Sequence, residues 1–122
     1  MCIRDRLPAD SYVSLDYLHG PMSNVDEHML VTILSSDAGH KYDQILAHKM
    51  KELHGRVLVL TDRSVEDFID CSDFVMQLGS GLGDGIRDIM YMPILQYLSW
   101  YKAVSEGYDP DHPKNLFYHV EL

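Results

Sequence analysis

The sequence predicts an α/β domain built on a parallel sheet, and three observations predict it. Two short, nearly continuous apolar runs, Leu30-Val31-Thr32-Ile33-Leu34 and Arg56-Val57-Leu58-Val59-Leu60, read as strands covered on both faces. Between them the apolar residues recur with helical spacing. A third run, Phe74-Val75-Met76-Gln77-Leu78, precedes a glycine-rich loop and a long helical stretch. Strand, helix, strand, connector, strand, helix is the alternation that folds as a parallel sheet with crossover connections. Three strands are few for covering both faces of such a sheet, which suits an incomplete domain.

Each element has its own local warrant. Ser14 is placed to cap a short helical turn, Gly20 to end it and Pro21 to prevent its continuation, which presents His19 at a rigid corner ahead of the first strand. After the strand at 30–34, Ser35, Ser36, Asp37, Ala38 and Gly39 form a polar loop. The helix predicted over 41–53 carries Tyr42, Ile45, Leu46, Lys49, Met50 and Leu53 on one face, with Gly55 in the C′ position. Thr61 and Asp62 return the second strand to solvent, and residues 64–72 form a turn or irregular stretch. Residues 79–85 read as a flexible loop. The last helix is predicted from near 88 or 93 to 106, with Pro93 in its first turn and Gly107 as its stop. Its stripe is Ile94, Leu95, Leu98, Tyr101 and Val104. The tail turns at Pro110 and Pro113 and extends through Leu116 to Leu122.

Composition removes several functional classes. The 122 residues suffice for one domain, and 46% apolar with 24% charged residues is ordinary for a globular protein. No apolar run approaches a membrane span. Nineteen acidic against ten basic residues give a net charge of −9, which disfavours nucleic acid and anionic membrane as partners. Cys2 and Cys71 cannot form a disulfide framework, so a reducing, cytoplasmic setting is expected. Met1-Cys2-Ile3-Arg4-Asp5-Arg6 matches the end of a sequencing adapter read as codons. Residues 1–6 are therefore expected to be a scar, and 7–122 the C-terminal part of a domain truncated at its N-terminal side.

The glycines at 79–85 are spaced G-x-G-x-G-x-G, which is neither a dinucleotide fingerprint nor a Walker loop. Ser35 and Ser36, ahead of a helix, offer hydroxyls and N–H groups to a phosphate, or simply cap and turn the chain. Asp62 ends a strand as a phospho-acceptor carboxylate would, yet Leu34-Ser35-Ser36 lacks the acidic companions that role requires. Seven histidines include no zinc-binding pair, and His40, His48 and His54 are expected to face solvent. His19 alone is either a structural histidine or a proton carrier.

The stretch Ser11-Tyr12-Val13-Ser14-Leu15-Asp16-Tyr17-Leu18-His19-Gly20-Pro21, then Val25-Asp26-Glu27 and the strand at 30–34, closely resembles the second domain of sugar isomerase (SIS) enzymes. There an E-[FLY]-x-H-G-P element precedes such a strand. Pro93-Ile94-Leu95-Gln96-Tyr97-Leu98, Gly107, Asp109-Pro110-Asp111 and Pro113-Lys114-Asn115-Leu116 resemble the family's closing helix and D-x-D-x-P-R-N-L tail. The resemblance covers residues 11–122 and implies a flavodoxin-like three-layer fold. Groups within the family include the isomerase half of glucosamine-6-phosphate synthase, tagatose-6-phosphate ketose/aldose isomerases and fructosamine-phosphate deglycases. The 35–46 stretch is nearest the ketose/aldose isomerases.

The resemblance further implies chemistry at carbons 1 and 2 of a sugar phosphate bound at a homodimer interface, without metal or other cofactor. His19 matches the family's ring-opening histidine, contributed into the neighbouring subunit's site. The carboxylate base that shuttles the proton between the two carbons lies upstream of residue 7 in the family. Where the synthase group has a lysine that forms an imine, this chain has Tyr118, which cannot. That departure favours isomerisation or deamination over amino transfer. Tyr118 and His119 either approach the sugar or pack the tail. Two other readings stay open: a sugar-phosphate sensor of a regulator, and a domain that only dimerises.

Overall fold

A computed structural model describes residues 9–112. The chain forms two compact units, one of Tyr12–Tyr91 and a second whose described parts are residues 9–11 and 92–112. In the first, a four-residue helix α1 (Ser14–Tyr17) is followed by a 3-10 turn (Pro21–Asn24), strand β1 (Leu30–Leu34), helix α2 (His40–Glu52) and strand β2 (Arg56–Thr61). A 3-10 turn (Val65–Asp67) and strand β3 (Phe74–Gln77) complete it, and helix α3 (Asp84–Ser105) begins in it. The strands are parallel and lie in chain order β1-β2-β3. The sequence-predicted α/β parallel sheet is thus present.

The register explains which face is core. Val31 pairs with Val57 and Ile33 with Val59, while Val59 pairs with Val75, so these valines and Ile33 share one side. Onto them pack Leu46, Ala47 and Met50 of α2, together with Val25, Phe68 and Cys71. Burial holds the Cys71 thiol in its protonated form, with the charge of Asp70 adding to the effect. On the opposite side Leu30, Leu34, Phe74 and Met76 remain exposed, Phe74 at 59%. β1 is therefore not covered on both faces as its apolar run predicts, and β3 is exposed in the same way. Within the described sheet both are edge strands, and only the central β2 is buried along most of its length.

Other local expectations shift for identifiable reasons. The buried stripe of α2 is Asp43, Leu46, Ala47 and Met50, whereas Tyr42, Ile45 and Leu53 are exposed. A buried carboxylate takes a place in that stripe, and an apolar count cannot anticipate it. At the end of α2 the left-handed residue is His54 (φ 66°), one position before the glycine. His54 N–H donates to Lys51 O and Gly55 N–H to Met50 O, the paired bonds of a Schellman ending. Gly55 is required for room instead, since a Cβ there would lie 2.6 Å from Val25 Cγ1.

α3 starts at Asp84, so Pro93 is inside it rather than in its first turn. Pro93 has no N–H to give the carbonyl four residues back, so one helix hydrogen bond is missing there. The N-terminus is fixed instead by Gly83 O, which accepts from the N–H groups of Ile86 and Arg87. In the second unit, Gly107 (φ 78°) stops the helix as predicted: its N–H donates to Val104 O, and that of Tyr108 to Ala103 O. Of the predicted stripe, Ile94, Leu95 and Leu98 are half-buried, but Tyr101 and Val104 are exposed. Tyr97, Trp100, Tyr101 and Val104 form an outward apolar face, with the Tyr97 and Trp100 rings 5.7 Å apart. Among the described residues no helix is long and apolar enough to cross a membrane.

Candidate active site

His19 lies between α1 and the Pro21–Asn24 turn. Tyr17, Leu18 and Met22 around it pack against the core, which anchors the corner, and His19 itself is left exposed. Its backbone N–H donates to Asp16 O. Ser14 is not the cap of α1; that position falls on Val13, and no side chain caps it. Ser14 Oγ is drawn away to donate to Asp43 Oδ1 at 2.9 Å. Gly20 adopts extended backbone (φ 171°), and Pro21 opens the 3-10 turn that separates the corner from β1.

Asp43 joins this corner to the end of β1. Its Oδ2 accepts from Ser36 N–H at 3.2 Å while its Oδ1 accepts from Ser14, so both oxygens of a carboxylate buried to 3% exposure are used. Two positions singled out from sequence, the α1 turn and the 35–39 loop, are thereby held to one side chain. Ser36 Oγ accepts from Gly39 N–H at 2.9 Å, and a Cβ on Gly39 would sit 2.7 Å from that oxygen. Ser35 is buried. Its N–H donates to Leu60 O, its carbonyl accepts from Tyr91 Oη at 2.9 Å, and its Oγ has no hydrogen-bond partner. Burial, the largest effect there, raises the Tyr91 phenol above its ordinary range. Tyr118 and His119 lie outside the described residues.

At the carboxyl ends of the strands, charged side chains occupy the backbone donors of two loops. Asp62 Oδ1 and Oδ2 accept from the N–H groups of Ser80 and Gly81 at 2.6 and 2.9 Å. These bonds, that from Ser80 foremost, depress the Asp62 carboxyl. The 79–85 stretch is accordingly not a free flexible loop: Asp62 pins it, Gly79 and Gly81 take left-handed backbone, and Asp84 and Gly85 belong to α3. Asp62 does not return the chain to solvent either, its side chain being 8% exposed.

Asp84 Oδ1 and Oδ2 accept from Asp37 N–H and Ala38 N–H at 2.7 and 3.1 Å. Arg87, 3% exposed, donates to Asp84 Oδ1, Asp37 Oδ2 and Leu82 O. Arg63 Nε donates to Asp37 Oδ1 from the other side. The hydrogen bonds from Arg87 and then Arg63 hold the Asp37 carboxyl below its usual value.

Sequence reasoning missed this cluster. Asp84 and Arg87, one turn apart at a helix start, were its only local sign. His40 also departs from expectation. It is largely buried, its ring packs edge-on to Phe68 at 5.1 Å, and its Nε2 lies 3.2 Å from Asp67 Oδ2. Among the described residues no group of three or more His, Cys, Asp or Glu side chains could hold a metal ion.

A parallel sheet carrying its connecting helix on one face and its polar loops at the strands' carboxyl ends is an α/β architecture consistent with the sugar isomerase resemblance. The homologues carry a particular name. Glutamine–fructose-6-phosphate aminotransferase (isomerizing) of Sulfurisphaera tokodaii is 29% identical over 108 residues, an alignment covering 88% of this chain and 17% of that relative. The enzyme of the same name from Francisella tularensis is 29% identical over 113 residues, covering 88% of this chain and 18% of the relative. That from Methanothermobacter thermautotrophicus is 29% identical over 109 residues, with the same two shares. The chain spans less than a fifth of the length of these curated relatives. By name they match the synthase group of the sugar isomerase resemblance, whereas residues 35–46 led to the expectation of a likeness to the ketose/aldose isomerases. No family model matches the chain.

Proposed function

We propose that this chain is the C-terminal part of the second sugar isomerase domain of a cytoplasmic enzyme acting at carbons 1 and 2 of a hexose phosphate. His19 moves the proton that opens the cyclic sugar. The observation that carries this reading is the exposed imidazole at a corner whose neighbours Tyr17, Leu18 and Met22 pack against the core. An imidazole open to solvent can serve as both proton donor and proton acceptor, exchanging a proton between ring oxygen and anomeric hydroxyl. The relatives are named for fructose-6-phosphate, an anionic ketose phosphate of the class proposed here.

The chemistry proposed is isomerisation or deamination, because Tyr118 stands where amino-transferring members have an imine-forming lysine. The enzyme works as a homodimer with His19 directed into the neighbouring subunit's site. The enzyme names of the relatives favour this reading over a regulatory sensor.

Replacing His19 with Ala in the complete enzyme tests it. Turnover of a cyclic hexose phosphate should fall about 10²-fold or more, the usual scale of a lost general acid–base group. Thermal stability should scarcely change, since the ring is exposed. An equal loss on an acyclic analogue, which needs no ring opening, would refute the assignment.

A further inference from the structure

His19 is exposed, so the direction in which it is presented depends on the turn that carries it. We infer that Ser14 and Asp43 are positioning residues for His19: the hydrogen bond between them fixes the rotation of the α1 turn, and with it the aim of the imidazole. This rests on the reading of His19 as the ring-opening group. The turn moves as one piece, because Tyr17 N–H donates to Val13 O at 3.0 Å and His19 N–H to Asp16 O at 3.1 Å. Tyr17 and Leu18 pack against the core, but apolar contact is non-directional and sets depth rather than angle. No residue of α1 is fully buried, and no side chain caps its start. The bond from Ser14 Oγ to Asp43 Oδ1, at 2.9 Å across 29 positions of the chain, supplies the missing direction.

A tether positions only when its far end is fixed, and Asp43 is fixed. It is 3% exposed and shares the buried stripe of α2 with Leu46, Ala47 and Met50. Its N–H donates to Gly39 O at 3.0 Å, and its Oδ2 accepts from Ser36 N–H at 3.2 Å. A Cβ on Gly39 would lie 3.3 Å from that same Oδ2, so the carboxylate is closely walled as well. For packing alone an apolar residue would serve at this place, without the cost of burying a carboxylate. What the carboxylate adds is a rigid link from the core helix to the turn before His19. Misplacing a reacting group by about 1 Å can cost on the order of 10²-fold in rate, so such a link bears on turnover even though neither residue meets the sugar.

Two substitutions of Ser14 test this, in the complete enzyme and in this chain. Ser14→Ala removes the hydroxyl and leaves Asp43 its bond to Ser36. In the enzyme, kcat on a cyclic hexose phosphate should fall about tenfold or more with KM little changed, while turnover of an acyclic analogue stays at the wild-type value. Ser14→Thr keeps the hydroxyl and should restore the cyclic rate. In the chain, backbone amide NMR relaxation at His19 should show added motion in Ser14→Ala and the wild-type value in Ser14→Thr. Cyclic turnover untouched by Ser14→Ala, or an equal fall on both substrates, would overturn the proposal. So would a His19 amide indifferent to the lost hydroxyl. Should His19→Ala itself leave cyclic turnover intact, it is ring opening by His19 that fails, and the amide measurement then decides whether the Ser14–Asp43 bond sets the corner.

Discussion

His112 Nδ1 donates to Asp109 Oδ2 across 2.9 Å, and Asp109 Oδ1 accepts from the backbone N–H groups of Asp111 and His112. The hydrogen bond to Asp109 raises the His112 imidazole above its ordinary value, and the same bond lowers the Asp109 carboxyl. The sign follows from which form each group favours. Protonated His112 gains its partner on folding, so its contribution is complete below about pH 6.5 and is lost as pH rises through the raised value. Asp109 contributes above about pH 4 and loses its part as pH falls through the lowered value. Both groups are exposed, so the effect on global stability is slight. Titration by NMR should show His112 above the ordinary histidine value, and Asp109→Asn should bring it back. Of the residue-level features, the exposure of His19 was legible in the sequence, because a helix-ending bend before Gly-Pro leaves a side chain outside. The burial of His40 was not: its partners Asp67 and Phe68 lie 27 and 28 positions on, and no local pattern connects them.

On the level of elements, α1 is too short to persist by itself and depends on what it touches. Asp43 supplies that support by accepting from Ser14 in α1 and from Ser36 beyond β1. Asp43→Ala leaves both donors without their acceptor and should destabilise the chain by about 2–3 kcal/mol, the scale of lost hydrogen bonds to a buried charge. Hydrogen exchange should then quicken in the amides of the α1 turn, Tyr17 and His19 among them, before it quickens in β2. Unchanged exchange there would show that the core contacts of Tyr17 and Leu18 suffice. The three strands, their parallel order and the helix between the first two could be read from apolar runs and spacing, because burial in a parallel sheet demands them. The start of α3 could not. Gly83 and Asp84 look like loop residues, and Asp84 is held at the helix start by accepting from the 37–38 amides, 46 and 47 positions away, which no local pattern announces.

For the molecule as a whole, the outward face of α3 in the second unit bears directly on assembly. Tyr97, at 68% exposure, and Trp100, Tyr101 and Val104 present apolar surface with no charged residue among them. Aromatic anchors of this kind dominate interface energetics, and the proposed homodimer gives them a partner. Trp100→Glu should move sedimentation of the proposed dimer toward monomer while leaving the far-UV circular dichroism unchanged; a mass unaltered by the substitution would rule out a dimer formed through this face. The spatial sequence of the strands has a different consequence, concerning how the sheet comes into being. β1, β2 and β3 neighbour one another in the order in which the chain presents them. Each later strand therefore docks on the rim left by the one before it, and none has to be inserted between two already joined. As the nascent polypeptide leaves the ribosome, these three described strands can join one at a time in the order of their synthesis.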